Sequence, residues 1–229
     1  MAPYRKGTDL VIKAFYNIRD KKNVKLLIHT QVPLDREIPE VKNIIEELSN
    51  DGLLEIVEKT VTAPGLYYKA DVYVYPSRLD GIGLTLMEAA ASGLACVTID
   101  NAPMNEFVTS DFGRVCDVDY YFCRHDGYYW PMSVASVESL TSIMEKFSSG
   151  EYDVDRMKLK AREYAINELD FSKNLSVLHE ILANTKFHDN EVAAAAIRHY
   201  HSLGLSKMNW MLLPIISCHC FVKRLLGKG

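Results

Sequence analysis

Basic residues are nowhere concentrated in this chain, cysteines are few, and apolar runs stay short. Its 26 Lys and Arg against 30 Asp and Glu give a formal net charge of −4 over 229 residues. Nucleic acid is held by a concentrated positive surface, so no nucleic-acid partner is expected. The five cysteines, Cys96, Cys116, Cys123, Cys218 and Cys220, are odd in number and irregularly spaced. That argues against a disulfide framework and fits reduced thiols in a cytoplasmic protein. Cys218-His219-Cys220 lacks the second ligand pair of a tetrahedral zinc site, so no metal is expected there. Met1-Ala2-Pro3-Tyr4-Arg5-Lys6 has no apolar stretch behind its basic pair, and no signal peptide is read. The most apolar segment, Trp210 to Val222, falls short of the roughly 18 residues of a membrane span and is broken by Pro214. With Lys223, Arg224 and Lys228 beside it, the tail 205–227 suits a membrane surface or a partner domain, and the partner domain is preferred.

What is present is an alternation of helical and strand patterns. Leu10, Val11, Ala14, Phe15 and Ile18 recur at helical spacing, with Thr8 or Asp9 available as cap. Residues 24–30 form a short apolar run of strand length. A second helical stripe follows at Val41, Ile44, Ile45 and Leu48. Further strands are expected at 53–57, 70–75 and 95–99, with a helix from Gly83 to Ala91 between the last two. Such an order specifies a parallel sheet covered on both faces. Tyr120, Tyr121, Phe122, Tyr128, Tyr129 and Trp130 read as an aromatic-rich loop, and helices are expected near 137–147, 154–166 and 171–183. The boundary is placed at 187: residues 1–187 as one α/β domain, residues 188–229 as a helical and apolar tail with a helix near 191–200.

The informative stretch lies between Ala70 and Glu106. Strand 70–75 runs into Pro76-Ser77-Arg78-Leu79-Asp80-Gly81-Ile82-Gly83-Leu84, and Glu88 sits on the helix that follows. Ligands of open α/β sheets bind beyond the carboxyl ends of the strands. A loop with Gly81 and Gly83 allows backbone to approach a phosphate, and the amides opening the next helix attract an anion. On chemistry alone, a phosphate cradle and an ordinary capped turn stay equally open.

The wording of the segment goes further. Asp71-Val72-Tyr73-Val74-Tyr75-Pro76-Ser77, Asp80 to Ala89 and Ala91-Ser92-Gly93 resemble the second domain of retaining GT-B glycosyltransferases of the glycogen-synthase-like group. Asp80 and Glu88 keep that group's spacing of two acidic residues, and Arg5-Lys6-Gly7-Thr8 resembles its lysine-glycine element. The resemblance covers about residues 5–108, with helical similarity to about 183. It implies a Rossmann-like domain that binds a nucleotide-sugar donor, the C-terminal half of a GT-B enzyme. Lys6 would meet the donor diphosphate, and the backbone at Gly81, Ile82, Gly83 and Leu84 would hold the diphosphate or the sugar. Asp80, the catalytic-site acid, would bind hydroxyls of the transferred sugar, and Glu88 those of the ribose. Glu106 sits near a further family turn, and loop 60–63 would lie near the base. No cofactor and no metal are implied, charge neutralisation falling to Lys6 and the helix dipole.

Departures from the pattern matter as well. Asp80 is one methylene shorter than the group's usual Glu, Ala95 replaces a proline, and residues 101–106 lack paired glycines. Met1 stands where the family's phosphate arginine is expected, and the first, mid-sheet strand and the acceptor-binding N-terminal domain are expected to be missing. The favoured reading is therefore the donor half of a retaining transferase, incomplete as a lone chain, working with a missing N-terminal domain or partner chain. The alternative is a non-catalytic nucleotide-sugar-binding or partner subunit of a split transferase; a damaged remnant is a third reading.

Overall fold

The computed structural model describes residues 3–124, 129–185 and 190–202. The tail beyond residue 202, with its cysteines and apolar run, lies outside the described residues, as does the Met1 position. By compactness the chain divides into Met1–Asn174 and Leu175–Gly229.

The first unit is an α/β layer structure. Helix α1 (Thr8–Asn17) leads to strand β1 (Leu26–Thr30), the short helices α2 (Leu34–Glu37) and α3 (Lys42–Asn50), and strand β2 (Leu54–Glu58). Strand β3 (Val72–Tyr75), helix α4 (Leu84–Ala91), strand β4 (Ala95–Ile99), the single-turn α5 (Met104–Phe107) and strand β5 (Gly113–Cys116) follow. An antiparallel hairpin, β6 (Val118–Cys123) with β7 (Pro131–Ala135), precedes helices α6 (Val137–Ser148), α7 (Val154–Glu168) and α8 (Phe171–Leu175). Ser136 caps α6 by accepting from the Ser139 amide, and Asp153 caps α7 by accepting from the Arg156 amide, each satisfying one orphan donor. The second unit contains α9 (Leu178–Asn184) and α10 (Asn190–Ser202).

The parallel pairing is split. Strand β1 pairs with β2, and β3, β4 and β5 form a separate parallel trio; among the described residues β1 and β3 are not joined. Burial follows from this. Every residue of β4, flanked on both sides, is buried, whereas β3 is largely half-buried and β1 mixes buried, half-buried and exposed residues. Between the facing edges of β1 and β3 lies a cavity of about 1470 Å³, lined by Leu26 and Ile28, Val72 and Val74, and closed by Val11 and Phe15 of α1. Among the described residues no strand lies between these two edges. The edges did not collapse onto each other.

The core gathers around α1 and β4. Leu10, Ile12, Ala14 and Phe15 are buried with Ile99, Leu86, Met104 and Leu140, α1 packing on α6 and α4 on α7. Two expectations need correction. Tyr120, Tyr121 and Phe122 lie in β6 rather than a loop, because aromatic residues suit a pleated, half-exposed strand and β7 supplies the partner. The cap of α1 is Gly7, in the left-handed region at φ 74°, and neither Thr8 nor Asp9 makes a side-chain capping bond. Strand β5 is an element that the sequence pattern did not signal.

Candidate functional site

The site forms where β3 ends. A parallel strand delivers Tyr75, then Pro76, Ser77 and Arg78 turn inward, all three buried, and Asp80 emerges at the head of α4. Residues 3–7 lie alongside this turn. The Arg78 amide donates to the Arg5 carbonyl at 2.9 Å, and Ser77 Oγ donates to the same carbonyl at 3.2 Å. Gly7 makes the approach possible: a Cβ there would stand 2.1 Å from the Pro76 carbonyl oxygen, at a positive φ that side chains rarely adopt. The two segments that the sequence reading singled out separately are thereby locked together.

Lys6 and Asp80 meet. Lys6 Nζ donates to Asp80 Oδ2 at 2.5 Å and also contacts the Tyr75 hydroxyl, which itself donates to Asp80 Oδ2 at 2.5 Å. The other oxygen, Oδ1, accepts from the amides of Gly81 at 2.8 Å and Gly83 at 3.1 Å. Partial burial by itself would raise the Asp80 pKa. The Lys6 ammonium, the Tyr75 hydroxyl and the Gly83 amide outweigh it and hold the carboxyl well below the usual carboxylate range. Burial first, and then the Asp80 carboxylate, push the Tyr75 phenol upward, so the hydroxyl keeps its proton.

Gly83 serves as the cap residue of α4 at φ 72°, with Ile82 and Leu84 exposed on either side. Glu88, exposed on the second turn of α4, accepts at Oε2 from the Tyr67 hydroxyl at 2.9 Å. The amides expected to meet a diphosphate lie at the helix head, and Asp80 accepts from three of them, those of Gly81, Ile82 and Gly83. Glu106 is exposed on α5, beyond β4, while Met104 of that turn packs 3.2 Å from where a Gly83 Cβ would be. Loop 60–63 follows β2, and Val61 lines the opening between β1 and β3.

Sequence reasoning missed several participants. Arg78 forms a buried two-pronged ion pair with Asp9, whereas Asp9 had been assigned to capping. Tyr75 enters the sequence reading only as a strand residue, and Tyr67 does not enter it. Tyrosines that alternate along a strand toward its ligand-binding end were the available signal. The hairpin also reaches this turn, the Ser133 amide donating to the Arg78 carbonyl at 2.9 Å.

The family model described as glycosyl transferases group 1 matches residues 1–123. No curated protein sequence matches the chain. Among solved structures, HepE from Anabaena in complex with UDP aligns at a TM-score of 0.64 with 14% identity, over 80% of this chain and 47% of its own. Sucrose-phosphate synthase from Thermosynechococcus elongatus aligns at 0.60 with 15% identity, over 80% and 44%. WaaG, a glycosyltransferase involved in lipopolysaccharide biosynthesis, aligns at 0.57 with 18% identity, over 76% and 43%. The fold is that of GT-B glycosyltransferases, and the chain spans less than half the length of these relatives.

Proposed function

Because the chain belongs to the glycosyl transferases group 1 family, we propose that it is the donor-binding half of a retaining transferase of the glycogen-synthase-like group. It would move a sugar from a nucleoside diphosphate to a hydroxyl acceptor. The observation that carries this reading is the convergence of Lys6, Asp80 and the head of α4 at the carboxyl end of β3. A parallel sheet presents ligands there, and a helix start with an ammonium group beside it suits a leaving diphosphate. Lys6 and the amides of Gly81, Gly83 and Leu84 would neutralise that charge without a metal, Ile82 contributing backbone on the exposed side. Glu88 would accept from ribose hydroxyls, and Asp80 from hydroxyls of the transferred sugar. HepE has been crystallised with UDP, and with UDP and glucose, which supports a uridine nucleotide as the first probe.

The acceptor side is proposed to come from a further domain or partner chain, since the longer relatives are only half covered. The opening between β1 and β3 supports the same incompleteness. The lone 229-residue chain is therefore expected to bind donor without transferring sugar. Thermal shift with UDP and UDP-glucose tests the reading: a ligand at 100 times its dissociation constant adds about 2.7 kcal/mol. No stabilisation by either nucleotide at millimolar concentration would refute it.

A further inference from the structure

Two acidic side chains, Asp80 before α4 and Glu88 on its second turn, are each held by a phenol. Tyr75 ends β3 and donates to Asp80 Oδ2 at 2.5 Å. Tyr67, in the 3-10 turn Tyr67–Lys69, donates to Glu88 Oε2 at 2.9 Å. Tyr73 lies between them. Its ring stands 5.7 Å from Tyr67 edge-on, at 73°, and 5.7 Å from Tyr75 at 17°, nearly parallel. Three rings thus form a ladder whose two outer hydroxyls end on the two carboxylates.

A loop aspartate and an exposed glutamate each have several staggered rotamers of similar energy. A site that must meet two sets of hydroxyls gains from fixing both before the ligand arrives. Burial pushes the phenols of Tyr67 and Tyr75 above their ordinary value, so both act as donors throughout the neutral range. Tyr73, in the middle, sets the separation of the outer rings through packing.

Resting on the donor-site reading above, we propose that Tyr75 and Tyr67 are positioning residues, the first orienting Asp80 toward the sugar and the second orienting Glu88 toward the ribose. The two roles are separable. Tyr75→Phe should weaken UDP-glucose binding about tenfold, the scale of one hydrogen bond to a charged group, and weaken UDP less, since the bare nucleotide feels only the contact of Tyr75 with Lys6. Tyr67→Phe should weaken both ligands by the same factor, because both carry the ribose.

The test uses the full chain and two readouts. Calorimetry with UDP and UDP-glucose measures the split, and ¹³C side-chain carboxyl resonances follow the acids without any ligand. In Tyr75→Phe the titration midpoint of Asp80 should rise, while in Tyr67→Phe the Glu88 carboxyl resonance should move and that of Asp80 should not. Both variants keep the ring, so a thermal midpoint near that of wild type separates positioning from loss of packing. An Asp80 midpoint unmoved by Tyr75→Phe, or a Glu88 resonance unmoved by Tyr67→Phe, overturns the assignment. A wild-type chain that binds neither nucleotide sinks the donor-site reading instead, and the carboxyl resonances still decide whether the phenols hold the acids.

Discussion

Arg78 and Asp9 face each other through two parallel hydrogen bonds of 2.6 Å, with the Arg78 side chain 4% exposed and that of Asp9 1%. The pair ties the first turn of α1 to the turn after β3, and the Tyr4 ring stacks over the guanidinium at 3.9 Å. Removing one partner strands a buried charge. Asp9→Ala should cost about 3–5 kcal/mol, enough to erase most of a domain's stability. Urea unfolding followed by circular dichroism measures it; a loss below about 1 kcal/mol would show that the pair is not what joins the two segments.

Gly7→Ala should be as damaging by a different route. The new methyl collides with the Pro76 carbonyl, and the backbone conformation there disfavours a side chain. The variant should lose nucleotide binding together with thermal stability, whereas Gly52→Ala, where a Cβ meets nothing within 4 Å, should cost only its own backbone strain. Parallel melting curves and calorimetry of the two variants decide the point.

Glu88→Ala should weaken UDP binding by roughly 1.5–3 kcal/mol if its carboxylate accepts from ribose hydroxyls. Because Glu88 is exposed, folding stability should change little. Equal UDP affinity in variant and wild type would remove Glu88 from the site.

Acid should reveal the Lys6–Asp80 contact. The folded-state pKa of Asp80 is depressed, so its contribution to stability is complete above the unfolded value, near ~3.9, and is lost as pH falls toward the folded value. Lys6→Met removes the strongest of the depressing partners and should bring that loss to higher pH. Unfolding free energies collected between pH 5 and pH 2 (roughly the window between the two states) should diverge for the two proteins. Superimposable profiles would argue that Tyr75 and the Gly83 amide suffice.

The facing edges of β1 and β3 should make the lone chain sticky. A strand edge without a sheet partner offers donors and acceptors to another chain. Sedimentation velocity should show association that grows with concentration, and a sharp monomer at every concentration would contradict this.

Much of this architecture was legible because it rests on local patterns. The helical spacing from Leu10 to Ile18 and the apolar runs at 24–30, 70–75 and 95–99 gave the alternation, and ordered motifs from Lys6 to Glu88 gave the site its outline. Less legible was whatever depends on partners distant in sequence. Nothing near Asp9 announces that Arg78, across the fold, will claim it instead of the helix cap. Strand β5 is four residues long, and Gly113 within it obscures any strand signature. The hairpin was hidden because Tyr120 and Tyr121 share both the composition of a sticky loop and that of a strand, and only β7 distinguishes them. Tyr67 and Tyr75 are unremarkable until the fold sets their hydroxyls against two carboxylates.

A carboxylate offers about four lone-pair directions, and five donors crowd the two oxygens of Asp80: the amides of Gly81, Ile82 and Gly83, a phenol and an ammonium. The amides at the head of α4 are therefore already engaged by the protein's own carboxylate. On the donor-site reading proposed above, a phosphate that enters does not add contacts to an empty surface; it trades with this resident acid for the amides. What a titration would read is a difference between two nearly matched sets of hydrogen bonds. Modest affinity and sharp discrimination go together in such an exchange, because a guest gains only where it matches the amides that Asp80 gives up while Tyr75 keeps the carboxylate in place.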